Sequence, residues 1–175
     1  MINILLKNIS IMLIISMVEK VYYSYEMLDK LCRDNGETIK KEFNPDVILA
    51  IGGGGLIPAR ILRNSIDVPI YVITMSTYDE NNVSIEEPRI IQWMDFSILR
   101  NKRILIVDEV DDTRKTLKYL VEKLTKEENL LRDNLGFFVL QNKKKNKTIE
   151  LNELDVGYYK SGENVEDKWI VYPWE

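Results

Sequence analysis

Ile104-Leu105-Ile106-Val107-Asp108-Glu109-Val110-Asp111-Asp112-Thr113-Arg114-Lys115-Thr116-Leu117 is the stretch that decides the fold. Four apolar residues read as a buried strand. The strand runs into two acids and an acidic turn, and then into a helix start that carries hydroxyls. Backbone N–H groups at a helix N-terminus have no partner inside the helix, and they present the positive end of its dipole. Such an end is a natural phosphate cradle, to which Thr113 and Thr116 add hydroxyl donors. The acids ahead of it would repel a phosphate. They suit sugar hydroxyls, or Mg2+ bridging to a second phosphate group. The segment therefore describes a ligand with a phosphate at one end and a diol or metal beside it, as in a ribose phosphate. Any one of these acids could be a plain helix cap. Four acids and two threonines within nine positions are too many for capping alone.

Working outward, short apolar runs alternate with helical patterns. Leu28, Leu31, Ile39 and Phe43 recur at helical spacing over residues 24–42, and Asn44-Pro45 ends that helix. Val47 to Ile51 reads as a strand ending in Gly52-Gly53-Gly54-Gly55, and Leu56 to Asn64 as the next helix. Val68 to Thr74 predicts a second strand. Ser76 to Pro88 is polar and without period, which predicts a long mobile loop. Thr116 to Leu124 is an amphipathic helix. Leu135 to Leu140 is a fourth strand, followed by the basic run Lys143, Lys144, Lys145 and Lys147. Strands alternating with helices imply an α/β fold, a single domain with a mainly parallel sheet flanked by helices. Ligands bind beyond the carboxyl ends of such strands, where both the glycine run and the acidic cluster lie.

Composition narrows the chemistry. The chain has no histidine, which removes Ser-His-Asp hydrolases, Cys-His proteases and His-ligated zinc together. Cys32 is the only cysteine, so there is no internal disulfide, as suits a reducing cytoplasmic setting. The net charge of −4 gives no general attraction to nucleic acid or anionic lipid. Residues 1–16 are an apolar N-terminal extension ahead of a domain spanning 17–175. Ile11 to Val18 fits three readings: an over-extended start with Met17 as the true first residue, a targeting or membrane segment, or an extra helix. It is short of the ~20 apolar residues a membrane span needs.

The segment from Val107 to Thr113 resembles the phosphoribosyl-pyrophosphate motif of type I phosphoribosyltransferases, and is most similar to fungal hypoxanthine-guanine phosphoribosyltransferases. Four further segments agree in order. They are Ile48 to Arg60, Ser76-Thr77-Tyr78, Gln92-Trp93, and Asp167-Lys168-Trp169 through Pro173-Trp174-Glu175. The resemblance implies a small C-terminal hood that binds the base. It implies that Asp108 and Glu109 contact the ribose hydroxyls, and that Asp111, Asp112, Thr113, Arg114, Lys115 and Thr116 hold the 5-phosphate. Asp112 would be the acid-base group at purine N7. The glycine turn (Gly52, Gly53, Gly54) would bind pyrophosphate, with a cis peptide at Gly52-Gly53. The loop carrying Ser76, Thr77 and Tyr78 would close over the site. The purine would lie on Trp169, with the Ile170 backbone and Lys143 at its edge. Lys144 is the alternative to Lys143. Mg2+ would be held by Asp108, Glu109 and Glu175.

Three departures from the family pattern bear on these expectations. Arg114 stands where relatives often have Gly, and would either add charge to the phosphate pocket or point to solvent. Gly53 and Ser76 stand where a basic residue is common, which shifts pyrophosphate binding toward Mg2+, backbone N–H groups and Arg60 or Arg89. The chain also ends soon after Trp174. The implied reaction joins the ribose 5-phosphate of phosphoribosyl pyrophosphate to a 6-oxopurine (hypoxanthine, guanine or xanthine), in a homodimer or homotetramer. The rivals are a xanthine-specific transferase and a non-catalytic regulator that keeps the same pocket.

Overall fold

The structure, a computed structural model, describes residues 19–175 apart from Asn82. The apolar segment before residue 17 and the boundary drawn there lie outside the described residues. The elements are β1 (Lys20–Tyr22), α1 (Tyr25–Glu42), β2 (Val47–Ile51), α2 (Leu56–Ile66), β3 (Ile70–Tyr78), β4 (Ser84–Gln92), β5 (Ile104–Asp111), α3 (Lys115–Lys126), β6 (Leu135–Lys144), the short α4 (Leu151–Leu154), β7 (Tyr158–Glu166) and β8 (Trp169–Val171).

Six strands form one sheet in the order β4-β3-β2-β5-β6-β7. Every pairing is parallel except β3 with β4. Side chains on a strand alternate between faces, and here the alternation sorts the core into two layers. Ile48 and Ala50 of β2, Leu105 and Val107 of β5, and Phe138 and Leu140 of β6 pack with Leu28, Ile39, Ala59 and Leu62 of α1 and α2. Leu49, Ile51, Ile104, Ile106 and Phe137 pack with Leu117, Leu120, Val121 and Leu124 of α3 on the opposite face. Covering both faces explains why the three central strands read as continuous apolar runs. Each fully buried Leu, Ile or Phe contributes about 1.5–3 kcal/mol of burial free energy.

Three expectations are corrected. The polar stretch Ser76 to Pro88 is an arm of two antiparallel strands. Its register pairs Met75 with Ile90 and Ser76 with Arg89. The Asp79 carboxylate closes the turn by accepting the N–H groups of Asn81 and Val83, both at 2.8 Å. Beyond Ile73 the arm has left its β2 partner, so it buries little and carries no period-two signal. The second strand accordingly starts at Ile70 and continues to Tyr78. Finally, the hood is built from both ends of the described chain, because β1 pairs in parallel with β8, Val21 opposite Ile170. Among the described residues no helix is long and apolar enough to cross a membrane.

Candidate active site

The carboxyl ends of β2, β3 and β5 and the start of α3 enclose a cavity of about 350 Å³. Gly52 and Gly54, Thr77 and Tyr78, and every residue from Asp108 to Thr116 line it. The strand-acid-helix segment, the glycine turn and the end of β3 thus converge on one hollow.

The acid pair is held from behind. Asp108 is buried and accepts the Glu109 N–H at 3.0 Å. Burial pushes the Asp108 carboxyl well above its usual range, and the neighbouring Glu109 charge adds to that push. The Glu109 carboxylate lies directly against Gly54, so a Cβ there would push that carboxylate aside. Its Oε2 is buried with no hydrogen-bond partner among the described residues. The buried Tyr172 hydroxyl donates to Gln141 Oε1 at 2.7 Å and lies 3.1 Å from the Glu109 carbonyl. Gln141 in turn donates to Glu163 at 3.0 Å. Sequence reasoning passed over Tyr172 and Gln141, because only the fold brings β6 and β8 beneath the acids. Gly53 bends the turn with φ of +100°, a value open to glycine. No cis peptide occurs among the described residues, so the expected one at Gly52-Gly53 is not found.

The phosphate loop is packed by its own charges. Arg114 sits at φ 64°, in the left-handed region, which accounts for glycine at this position in the resembled family. Its side chain neither faces the cavity nor reaches solvent. The guanidinium is 5% exposed and grips Asp111 Oδ2 through Nε and Nη2, both at 2.9 Å. It also donates to the Ile149 carbonyl at 3.2 Å and stacks over Tyr159. The Tyr159 hydroxyl donates to the same Asp111 oxygen at 2.9 Å. Asp111 is fully buried in this network. Asp111 and Arg114 therefore shape the loop from inside, and only their backbones are placed to meet a phosphate. Lys115 lines the cavity and donates to the Ile85 carbonyl, tying the arm to the start of α3.

A second charge cluster adjoins Asp112. Lys143 Nζ lies 3.3 Å from Asp112 Oδ1 and 3.8 Å from Asp167 Oδ1. Lys145 reaches the same two oxygens at 3.2 and 3.1 Å. Lys144 points the other way and pairs with Glu166 at 2.9 Å, so it is not the substitute for Lys143. Burial raises the Asp112 carboxyl, but Lys143 and Lys145 outweigh that effect and hold it below its usual range. Trp169 is exposed on the hood beside the buried Ile170. Neither of them lines the cavity.

Other expected residues lie elsewhere. Arg60 is on the outer side of α2 and donates to Asn64 at 2.8 Å. Arg89 is exposed on β4, 3.6 Å from Glu80. Neither lines the cavity, because helix and strand periodicity turn both outward. Glu175 is exposed at the chain end, and no three acids converge as a metal cluster among the described residues.

Residues 24–174 match the family of the phosphoribosyl transferase domain. The chain is 43% identical to the hypoxanthine-guanine phosphoribosyltransferase of Schizosaccharomyces pombe, covering 89% of each sequence. It is 38% identical to xanthine phosphoribosyltransferase 1 of Saccharomyces cerevisiae, covering 90% of each. Among solved structures, a hypothetical protein from Neisseria gonorrhoeae with bound ppGpp superposes with a TM-score of 0.78 at 39% identity, covering 91% of this chain and 90% of that one.

Proposed function

The chain belongs to the phosphoribosyl transferase family, and from that premise we propose that it salvages 6-oxopurines, joining the ribose 5-phosphate of phosphoribosyl pyrophosphate to purine N9 and releasing pyrophosphate. The observation that carries this reading is the 3.3 Å contact between Lys143 and Asp112 at the edge of the phosphate-loop cavity. It puts a donor suited to a purine oxygen beside an acid at the ribose end. A regulator that only sensed the sugar phosphate would need neither group, nor the exposed Trp169.

In this reading each group of the site has a role. Backbone N–H groups from Asp112 to Thr116, with the Thr113 and Thr116 hydroxyls, take the 5-phosphate. Asp108 and Glu109 face the ribose hydroxyls. Gly52, Gly53 and Gly54 leave room for the pyrophosphate to approach the backbone. Trp169 stacks on the purine, Lys143 donates to its O6, and the Ile170 backbone meets its edge. Asp112 enters as a carboxylate, since its lysines keep it ionised. It is placed to accept the proton at N7 as the N9–C1′ bond forms and the C1′–O bond to pyrophosphate breaks. When Lys143 turns to the purine, Asp112 loses one of its two cations and becomes a better proton acceptor.

Mg2+ fits the acid pair. Two carboxylates offer hard oxygens, one of them buried without a partner among the described residues, and a diphosphate completes such a shell. Asp108 and Glu109 would hold the ion. Its charge would offset that of the departing pyrophosphate. The arm formed by β3 and β4, which carries Ser76 and has Thr77 and Tyr78 lining the cavity, is suited to fold over the bound ligand and exclude water. The relatives named for xanthine and for hypoxanthine-guanine substrates are similar in identity, so xanthine stands beside the other two bases. A cytoplasmic location and a dimer or tetramer complete the proposal.

The test is direct. The protein is mixed with phosphoribosyl pyrophosphate, Mg2+ and each purine in turn, and nucleoside monophosphate is measured. Hypoxanthine, guanine or xanthine should be converted and adenine refused. Binding of phosphoribosyl pyrophosphate without nucleotide from any base would favour the regulator.

A further inference from the structure

A cradle of N–H groups has a rear side made of carbonyls. If buried, those carbonyls need donors of their own, or the loop gains by turning over. In this chain they are served by a segment more than thirty residues away. Lys147 Nζ donates to the Asp111 carbonyl at 2.6 Å and to the Asp112 carbonyl at 2.8 Å. The next residue, Thr148, donates its N–H to the Thr113 carbonyl at 2.8 Å. The one after, Ile149, accepts from Arg114 at 3.2 Å. Three successive residues thus meet four successive residues of the loop. Lys147 is 7% exposed, and its counter-charge is the Asp111 carboxylate at 3.4 Å.

We propose that Lys147 is a positioning residue for the 5-phosphate, latching the loop from behind so that its N–H groups face the ligand. The proposal rests on the reading above that this loop holds the 5-phosphate. The latch acts in two ways. It satisfies two carbonyls that would otherwise compete for the orientation of their peptide units. It also sets a positive charge beneath an anion site, out of reach of water and therefore little screened. Asp111 is shared between Lys147 and Arg114, so the latch and the buried ion pair are one network. That sharing accounts for a carboxylate at position 111 whose side chain takes no place in the cavity.

The experiment compares Lys147→Met, which keeps the length of the side chain and removes its donors, with Lys147→Arg, which keeps the charge. Dissociation constants for phosphoribosyl pyrophosphate, for a nucleoside monophosphate and for inorganic pyrophosphate are measured with Mg2+ present, together with KM for the purine. Hydrogen bonds to a charged group are worth enough that Lys147→Met should weaken the two 5-phosphate ligands about ten- to hundredfold. Pyrophosphate affinity and purine KM should hold, and Lys147→Arg should restore most of the loss. Lys147→Gln is run in parallel, so that poor folding of the Met variant leaves a measurable case; it should show the same one-sided loss. Equal weakening of all ligands would make Lys147 a general stabiliser and overturn the proposal, as would unchanged affinities. If the unaltered protein bound no phosphoribosyl pyrophosphate, the functional reading would fall and the latch with it.

Discussion

Arg114→Gly would install the residue that the resembled family often carries, at a backbone angle that glycine prefers, and it should nonetheless destabilise the protein. Two backbone terms oppose one another and leave a small net gain. Releasing an L-residue from the left-handed region at φ 64° returns about 1–2 kcal/mol. The extra freedom of glycine in the unfolded chain costs back about 0.5–1 kcal/mol. Against them stands a buried ion pair with both nitrogens at 2.9 Å and side chains 5% and 0% exposed. Removing one partner of such a pair costs about 3–5 kcal/mol, because the other is left buried and charged. Lys147 and Tyr159 remain on Asp111 and cover part of that loss. The net expectation is about 2–3 kcal/mol, or a melting temperature lower by about 4–12 °C for a chain of this size. Thermal and urea unfolding of the ligand-free protein are the assays. Arg114→Met, alone and with Asp111→Asn, completes the set. The double variant should be less damaged than the sum of the singles, because neither partner is then left alone. If Arg114→Gly melted at or above the temperature of the unaltered protein, the buried pair would not be holding the loop.

Three further outcomes follow from the site. Asp112→Asn should lower turnover about 100- to 10,000-fold while the melting temperature holds, as expected for an acid-base group; near-normal turnover would pass the role to another group. Lys143→Ala should cut use of hypoxanthine, guanine and xanthine and narrow the gap to adenine, since a site built around one hydrogen-bonding pattern discriminates up to about 10,000-fold; a gap left intact would remove Lys143 from the purine edge. Asp112 is held below the usual carboxylate range by Lys143 and Lys145 against the upward push of burial. Its charge is therefore present at neutral pH and lost only on strong acidification. Lys145→Gln should move the acid limb of kcat/KM for the purine to higher pH, and an unmoved limb would show that Lys145 does not govern Asp112.

The central strands and the glycine turn were legible because they are governed by local rules. Residues 47–51 and 104–107 are apolar on both faces, and each ends where a ligand site must begin. The first helix was legible for the same reason: its stop coincides with Asn44, at φ 47°. The arm from Ile70 to Gln92 was not, since outside the sheet it has no buried face to leave a pattern. Strand β1 and the hood were hidden for a different reason. Three residues, Lys20 to Tyr22, become a strand only because residues 169–171 lie beside them. Arg114 shows the limit most sharply. Its sequence context offered cavity or solvent, and the side chain took a third course that exists only because Tyr159 and Ile149 close over it.

The four lysines after β6 carry this point into the chemistry. In sequence they are one basic run, and a basic run most often marks a solvated loop. The pleat separates them. Lys143 and Lys145 fall on one side, toward Asp112 and Asp167, and Lys144 on the other, toward Glu166. A tight turn from the Lys145 N–H to the Lys143 carbonyl then ends the strand and sends Lys147 under the loop. Lys143 and Lys145 thus share their two partners, while Lys144 and Lys147 each have their own, and exposure runs from 59% at Lys144 to 7% at Lys147. Three of them converge on Asp111 and Asp112, which precede the run by more than thirty residues. The parallel pairing of β5 with β6, Asp111 opposite Asn142, is what brings them there. The site is therefore written in two distant segments. The acids alone identify the ligand class, whereas the lysines acquire their roles only through strand register.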